Sequence, residues 1–124
     1  MKQLIYTLLV VGGIAQAQAA CDYPIAPGKF PDGGQASKDD MLKAKGQVVK
    51  YNEQMTAYLQ CIKSEFDTKL TAQTNVTPEQ KAEMERVHGQ KETAAVDEVT
   101  AVTERFNEQL RAWKAKQATE KKSG

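Results

Sequence analysis

Residues 71–80 read T-A-Q-T-N-V-T-P-E-Q, and this stretch decides the fold because it separates two long segments that are each patterned as a helix. Thr77 has the residue type of a helix N-cap, Pro78 suits the first helical position, and Gln80 lies where a capping box places Glu or Gln. The stretch predicts that one helix ends near Ala72 and that a second helix begins at Pro78.

The segment before this break carries an apolar stripe. Ser37 is the predicted N-cap, with the Asp40 carboxylate in the first turn. We therefore predict a first helix over about 38–72. Apolar residues recur at steps of three and four, within about 120° of a helical wheel: Met41, Ala44, Val48, Tyr51, Met55, Tyr58, Leu59, Ile62, Phe66 and Leu70.

The segment after the break carries a second stripe, formed by Met84, Val87, Ala95, Val99, Val102, Phe106, Leu110 and Trp113. It predicts a helix over about 78–116, followed by a frayed tail over 118–124. The sequence leaves open whether His88-Gly89 bends this helix.

Two such helices joined by a short loop must lie antiparallel, so residues 37–117 are predicted to form a long helical hairpin. If the numbers of facing residues sum to about 150, Phe66 lies level with Met84. The same rule places Trp113 level with Ser37 at the open end of the hairpin. Trp113 is then half exposed unless Phe30 or a second molecule covers it.

Residues 21–36 read C-D-Y-P-I-A-P-G-K-F-P-D-G-G-Q-A, and their three prolines exclude a helix. We predict an extended arm that turns at Pro31-Asp32-Gly33-Gly34, where proline presets the first corner and glycine tolerates a positive φ.

The chain has two cysteines, Cys21 and Cys61. On a helical wheel at about 100° per residue, Cys61 falls outside the apolar stripe and faces a flank of the first helix. The arm reaches about 50 Å at about 3.1 Å per residue, and the helix from Ser37 to Cys61 climbs about 36 Å. We therefore predict a Cys21–Cys61 disulfide that lays Tyr23, Ile25 and Phe30 on the groove between the helices.

Together these patterns predict an all-α fold, a long antiparallel helical hairpin with an extended Pro-rich N-terminal arm tied to the first helix by one disulfide. A disulfide is a common source of added stability in a chain whose hydrophobic core is small.

Residues 1–20 have the order of a secretory signal peptide: a positive charge at Lys2, an apolar run, and small residues with A-x-A spacing. Cleavage after Ala17, Ala19 or Ala20 is compatible with the pattern. The mature chain is then exported to the periplasm or secreted, where a disulfide can form. The apolar run is too short to span a membrane, and no later stretch is longer.

Charge gives no reason to expect a nucleic-acid partner. The chain has 17 Lys and Arg against 16 Asp and Glu, and loss of Lys2 with the signal leaves 16 of each. A formally neutral chain lacks the basic excess that binds phosphate backbones.

The sequence carries no catalytic motif, and we predict that the protein is not an enzyme and holds no cofactor or metal. There is no G-x-S-x-G elbow, phosphate loop, H-E-x-x-H helix or EF-hand loop. His88 is the only histidine and has no cluster of ligands at metal-site spacing. The carboxylates have the spacing of surface ion pairs.

Four short motifs resemble a group of small exported proteobacterial proteins of unknown function. They are C-D-Y-P at 21–24, P-D-G-G at 31–34, M-L-K-A at 41–44 and Y-L-Q-C-I at 58–62. The resemblance implies an envelope location and an α-helical fold, and it carries over no catalytic residue.

We therefore expect a non-enzymatic exported protein that binds an unknown protein partner or associates with itself. Tyr23, Phe30 and Trp113 are the candidate interaction surface. Two alternatives stay open. One is a lipid-anchored protein acylated at Cys21, although Gln18 stands where acylation signals place an aliphatic residue. The other is a carrier of a small apolar ligand bound around Tyr23, Tyr58 and Phe66.

Overall fold

The computed structural model describes residues 20–124, and all regular secondary structure in that part of the chain is helical. Helix α1 spans Lys38–Ala72 and helix α2 spans Pro78–Ser123. Residues 73–77 join the two helices, which pack against each other as a hairpin. The predicted all-α hairpin is confirmed. The predicted signal peptide, residues 1–20, lies outside the described residues except for Ala20.

Both helices begin at the predicted capping boxes. The Ser37 hydroxyl accepts a hydrogen bond from the Asp40 N–H at 3.1 Å, and the Ser37 N–H donates to the Asp40 carboxylate at 3.1 Å. At α2, the Gln80 N–H donates to the Thr77 hydroxyl at 3.2 Å, and the Thr77 N–H donates to the Gln80 side chain at 3.0 Å. These bonds satisfy N–H groups that the first turn of a helix leaves unpaired.

The core lies along the line where the two helices meet, and α1 supplies most of it. The most completely buried large side chains are Tyr51, Met55 and Val102, each about 1% exposed. The buried residues of α1 all belong to the predicted stripe: Met41, Ala44, Val48, Tyr51, Met55, Tyr58 and Ile62. Those of α2 are Ala95, Val102 and Phe106.

Helix α2 is longer than predicted, because it continues through residues 118–123 to end at Ser123. In the structure, the segment predicted as a frayed tail over 118–124 is helical up to Ser123. This segment has no proline or glycine before Gly124, and Lys116 pairs with Glu120 one turn later, with 3.9 Å between nitrogen and oxygen. Local helix formers and an i,i+4 pair extend the helix beyond the end of its apolar stripe.

Helix α2 runs unbroken through His88 and Gly89. Open space surrounds Gly89, so no close approach of another segment requires glycine there. Near the loop, the Phe66 ring stacks on His88 with 4.5 Å between ring centroids. The numbering rule placed Phe66 level with Met84, and both residues line the same cavity near the loop.

The arm turns at the predicted place, but hydrogen bonds rather than a positive φ at glycine stabilise the turn. The Asp32 carbonyl accepts hydrogen bonds from the N–H groups of Gln35 at 3.0 Å and Ala36 at 2.8 Å. No residue among 20–124 has a positive φ, so the glycines of the turn are not needed for that conformation. Gly33 is buried against α2, where its N–H donates to the Gln109 side chain at 2.9 Å.

Replacing Gly33 by alanine should lower the free energy of unfolding by about 2 kcal/mol, because overpacking at rigid backbone is destabilising. An added Cβ would collide with the main-chain carbonyl of Gln109. Gly28→Ala is the matched control, since nothing lies within 4 Å of a Cβ at that position of the same arm. Urea unfolding followed by circular dichroism measures both variants. Equal stability of the two would show that the arm does not dock at Gly33.

Candidate interaction surface

The arm is fastened at its beginning by the predicted disulfide between Cys21 and Cys61, whose Cα atoms lie 5.8 Å apart. Cys61 lies on the flank of α1 where the helical wheel placed it. The bond closes a loop of forty residues. It also occupies the Cys21 sulfur, which is the atom that a lipid anchor would need.

Tyr23 bridges the two helices. Its ring meets Tyr58 of α1 edge to face, with centroids 4.9 Å apart, and its hydroxyl donates to the Glu98 carboxylate of α2 at 2.5 Å. Burial, and then the hydrogen bond to Glu98, raise the pKa of Tyr23 above its ordinary value. Burial followed by the charge of Glu98 raises the pKa of Tyr51 as well. Glu98 therefore favours the neutral form of both phenols.

The middle of the arm is held by Arg105 of α2. Its guanidinium donates to the carbonyl of Gly28 at 2.9 Å and to the carbonyl of Pro27 at 3.2 Å. The same group lies 5.8 Å from the centre of the Phe30 ring, which contacts Phe106 edge to face. Arg105 thus satisfies main-chain carbonyls and covers an aromatic ring with one planar cation.

The predicted contact of Ile25 with the groove is wrong, because Ile25 is 91% exposed. Tyr23 before it and Phe30 after it both point to the helices. Hydrogen bonds from Arg105 to the carbonyls of Pro27 and Gly28 hold the backbone between these two residues. The Ile25 side chain lies in solvent.

The side of the hairpin opposite the arm is uncovered. On a helical wheel, Leu42 and Val49 fall on the flank of the α1 stripe away from Cys61, and Val96 falls on the flank of α2 away from Arg105. Their exposed fractions are 55%, 47% and 53%. We call the surface that carries Leu42, Val49 and Val96 the open face.

Trp113 lies at the end of the open face where the arm turns. Its side chain is partly buried against the core, and the turn at Gly33 approaches its backbone. Beside it is a groove of about 320 Å³. The groove is lined by Lys38, Met41, Leu42, Lys45, Phe106, Leu110 and Trp113.

The structure therefore does not bring Tyr23, Phe30 and Trp113 together as one patch. Tyr23 and Phe30 lie on the arm side, where Tyr23 packs on Tyr58 but stays 42% exposed and Phe30 packs on Phe106. Trp113 lines the groove at the end of the open face, together with Leu42. Their role in recognition stays a prediction, and Trp113 is the member of the three that borders the open face.

A second cavity, of about 190 Å³, lies near the loop and contains Ile62, Phe66, Met84 and His88 among its lining residues. His88 lies 3.2 Å from the Glu92 carboxylate. Tyr23 and Tyr58 line a different groove, next to Cys61. The three aromatic residues proposed for an apolar ligand thus do not share one site.

Charged groups in the described part of the chain form local pairs rather than a reactive cluster. Lys63 meets Asp67 at 2.7 Å and Arg86 meets Glu83 at 2.6 Å, and all four side chains are largely exposed. Within residues 20–124 no three His, Cys, Asp or Glu side chains are placed to hold a metal ion. Neither α1 nor α2 contains an apolar stretch long enough to cross a membrane.

Sequence reasoning missed the residues of α2 that hold the arm, Glu98, Arg105 and Gln109. Glu98 and Arg105 are seven residues apart, and Arg105 and Gln109 are four apart, so all three lie on one flank of the α2 stripe. This spacing is the sequence signal that could have identified them. It also missed the open face, although Leu42 and Val49 are apolar residues seven apart outside the predicted stripe.

Comparison with protein-family models, with curated proteins and with solved structures found no match to this chain.

Removing the disulfide should cost about 4 kcal/mol of stability in the chain-entropy model for a loop of this size. We expect the Cys21→Ala, Cys61→Ala double variant to unfold at a markedly lower urea concentration than the oxidised protein. Reduced wild type is the control and should match the double variant. Intact mass should rise by two hydrogens on reduction. A mass that does not change on reduction would contradict the bond.

The raised pKa of Tyr23 predicts a loss of stability at alkaline pH. As pH rises through about 10, the ordinary pKa of tyrosine, the unfolded chain ionises before the folded one, so stability falls. Tyr23→Phe should reduce this fall, and Glu98→Gln should move the phenolate absorbance titration of the folded protein to lower pH. Urea unfolding at about pH 8 and at about pH 11 measures the first effect. An unchanged titration in Glu98→Gln would remove the role of this carboxylate.

Proposed function

We propose that the protein is a non-enzymatic exported protein that acts by binding another protein, or a second copy of itself, through the open face. The observation that carries the proposal is the one-sided cover of the hairpin. The arm occupies one side of the groove between the helices, and three large aliphatic side chains remain about half exposed on the other side.

The position of these side chains supports the proposal more than their number does. Single exposed apolar residues are ordinary on protein surfaces, whereas apolar residues grouped on one side mark an interaction site. Leu42, Val49 and Val96 share the side away from the arm. Partly buried Val99 and Leu110 of α2 pack against the core.

A hairpin is also a common unit of assembly. Two antiparallel hairpins that pack face to face form a four-helix bundle, and a twofold dimer uses the same surface on both copies. The arm would remain on the outside of such a bundle, so pairing would not require the Cys21–Cys61 bond to open. A different protein that offers an amphipathic helix would use the same apolar contacts.

Export is the second part of the proposal. A disulfide that ties the arm to α1 is typical of a protein from an oxidising compartment. The charge, apolar run and A-x-A spacing of residues 1–20 favour the periplasm or secretion. The alternative of a lipid anchor is disfavoured, because thioether formation at Cys21 would compete with the disulfide for the same sulfur.

A charged residue placed in the open face should abolish association. We expect Val49→Glu to convert an assembled species to monomer in sedimentation analysis, or to remove a partner that crosslinks to a photoreactive residue at position 96. The matched control is Ile25→Glu, because Ile25 is more exposed than Val49 and lies on the arm. Its assembly should be unchanged.

The proposal fails if wild type is monomeric at high concentration and a photoreactive residue at position 96 captures no more protein from envelope extract than one at position 25. Equal effects of Val49→Glu and Ile25→Glu would also contradict it, because the open face would then have no special part in association.

A further inference from the structure

The groove beside Trp113 has the composition of a site for an amphiphile. It lies where the start of α1 meets the last third of α2, and its apolar lining includes Leu42, Leu110 and Trp113. Its volume of about 320 Å³ is at the lower end of the range for small-molecule sites, about 300 Å³ to 1,000 Å³. A single aliphatic chain fits this size better than a folded partner does.

Two lysines border the groove. Lys38 and Lys45 are exposed and stand seven residues apart on α1, so they lie on the same side of the helix about 10 Å apart along its axis. The ion pairs within residues 20–124 involve other cations. The groove thus combines apolar walls with positive charge that is not neutralised by an ion pair in this part of the chain.

We propose that this groove binds the alkyl chain of a free fatty acid, with the carboxylate held by Lys38 and Lys45. The proposal goes beyond the proposed function, since it concerns a small ligand at one end of the open face. Charge complementarity selects an anionic head, and the apolar walls select an aliphatic tail.

Trp113 is the only tryptophan of the chain, so its fluorescence reports directly on the groove. Disulfide-bonded wild type is titrated below the micellar concentration with decanoate, decan-1-ol and decyltrimethylammonium. We expect saturable changes in Trp113 emission with decanoate, weaker binding of the alcohol and no binding of the cation. Shortening decanoate to octanoate should weaken binding by up to about fourfold for each methylene lost.

Variants distinguish the contribution of the ligand's carboxylate from that of its alkyl chain. Lys45→Glu should weaken decanoate binding about tenfold and leave decan-1-ol binding unchanged, because it reverses one charge at the rim. Leu42→Asp should weaken both ligands. Lys50→Glu is the matched control, because Lys50 is an exposed lysine of the same helix that lines a different groove next to Pro27. It should bind decanoate like wild type.

Three results would overturn the proposal. They are equal binding of the anion and the cation, an emission change that appears only with micelles, and equal effects of Lys45→Glu and Lys50→Glu. Val96→Glu distinguishes this site from the protein-binding surface, because Val96 lies on the open face and does not line the groove. It should keep decanoate affinity even where it abolishes association, and decanoate binding lost together with association would contradict a separate site.

Discussion

The docking of the arm onto the hairpin is the interaction on which the rest of the structure depends. Two amphipathic helices alone bury one line of side chains, and α2 contributes only Ala95, Val102 and Phe106 to the buried set within residues 20–124. The arm adds a third layer on one side of that line. It is fixed covalently at Cys21 and non-covalently along α2, so each local contact of Tyr23 or Phe30 forms at a lower entropic cost than it would on a free chain.

The arm also gives the hairpin two unlike sides. On the arm side, aromatic rings pack on the helices and Arg105 satisfies the main-chain carbonyls of Pro27 and Gly28. On the open face, aliphatic side chains remain exposed and the lysines next to Trp113 have no ion pair in the described part of the chain. Interaction with other molecules is best sought where internal contacts are incomplete, because binding there adds contacts without breaking any.

Charge has a local rather than a global role in this protein. The chain has 17 basic and 16 acidic residues, so its long-range field is small, and the surface ion pairs join residues three or four apart. Such pairs add a few tenths of a kcal/mol each to helix stability. Specific electrostatic effects arise only where the tertiary structure places a charge near an unusual neighbour, as it does for Glu98 beside Tyr23 and Tyr51.

The sequence by itself determined the elements whose causes are local. The capping boxes at Ser37 and Thr77 set the helix starts, the prolines kept residues 21–36 extended, and two cysteines allowed one internal pairing. It misjudged the end of α2, because the apolar stripe ends before the run of helix formers does. Only the tertiary structure decided which α2 residues hold the arm, why Gly33 must be glycine, and which apolar residues stay exposed. The contacts at Glu98, Arg105 and Gln109 join residues 75 to 78 positions apart. They depend on the register and the facing flanks of two long helices, which no local pattern encodes.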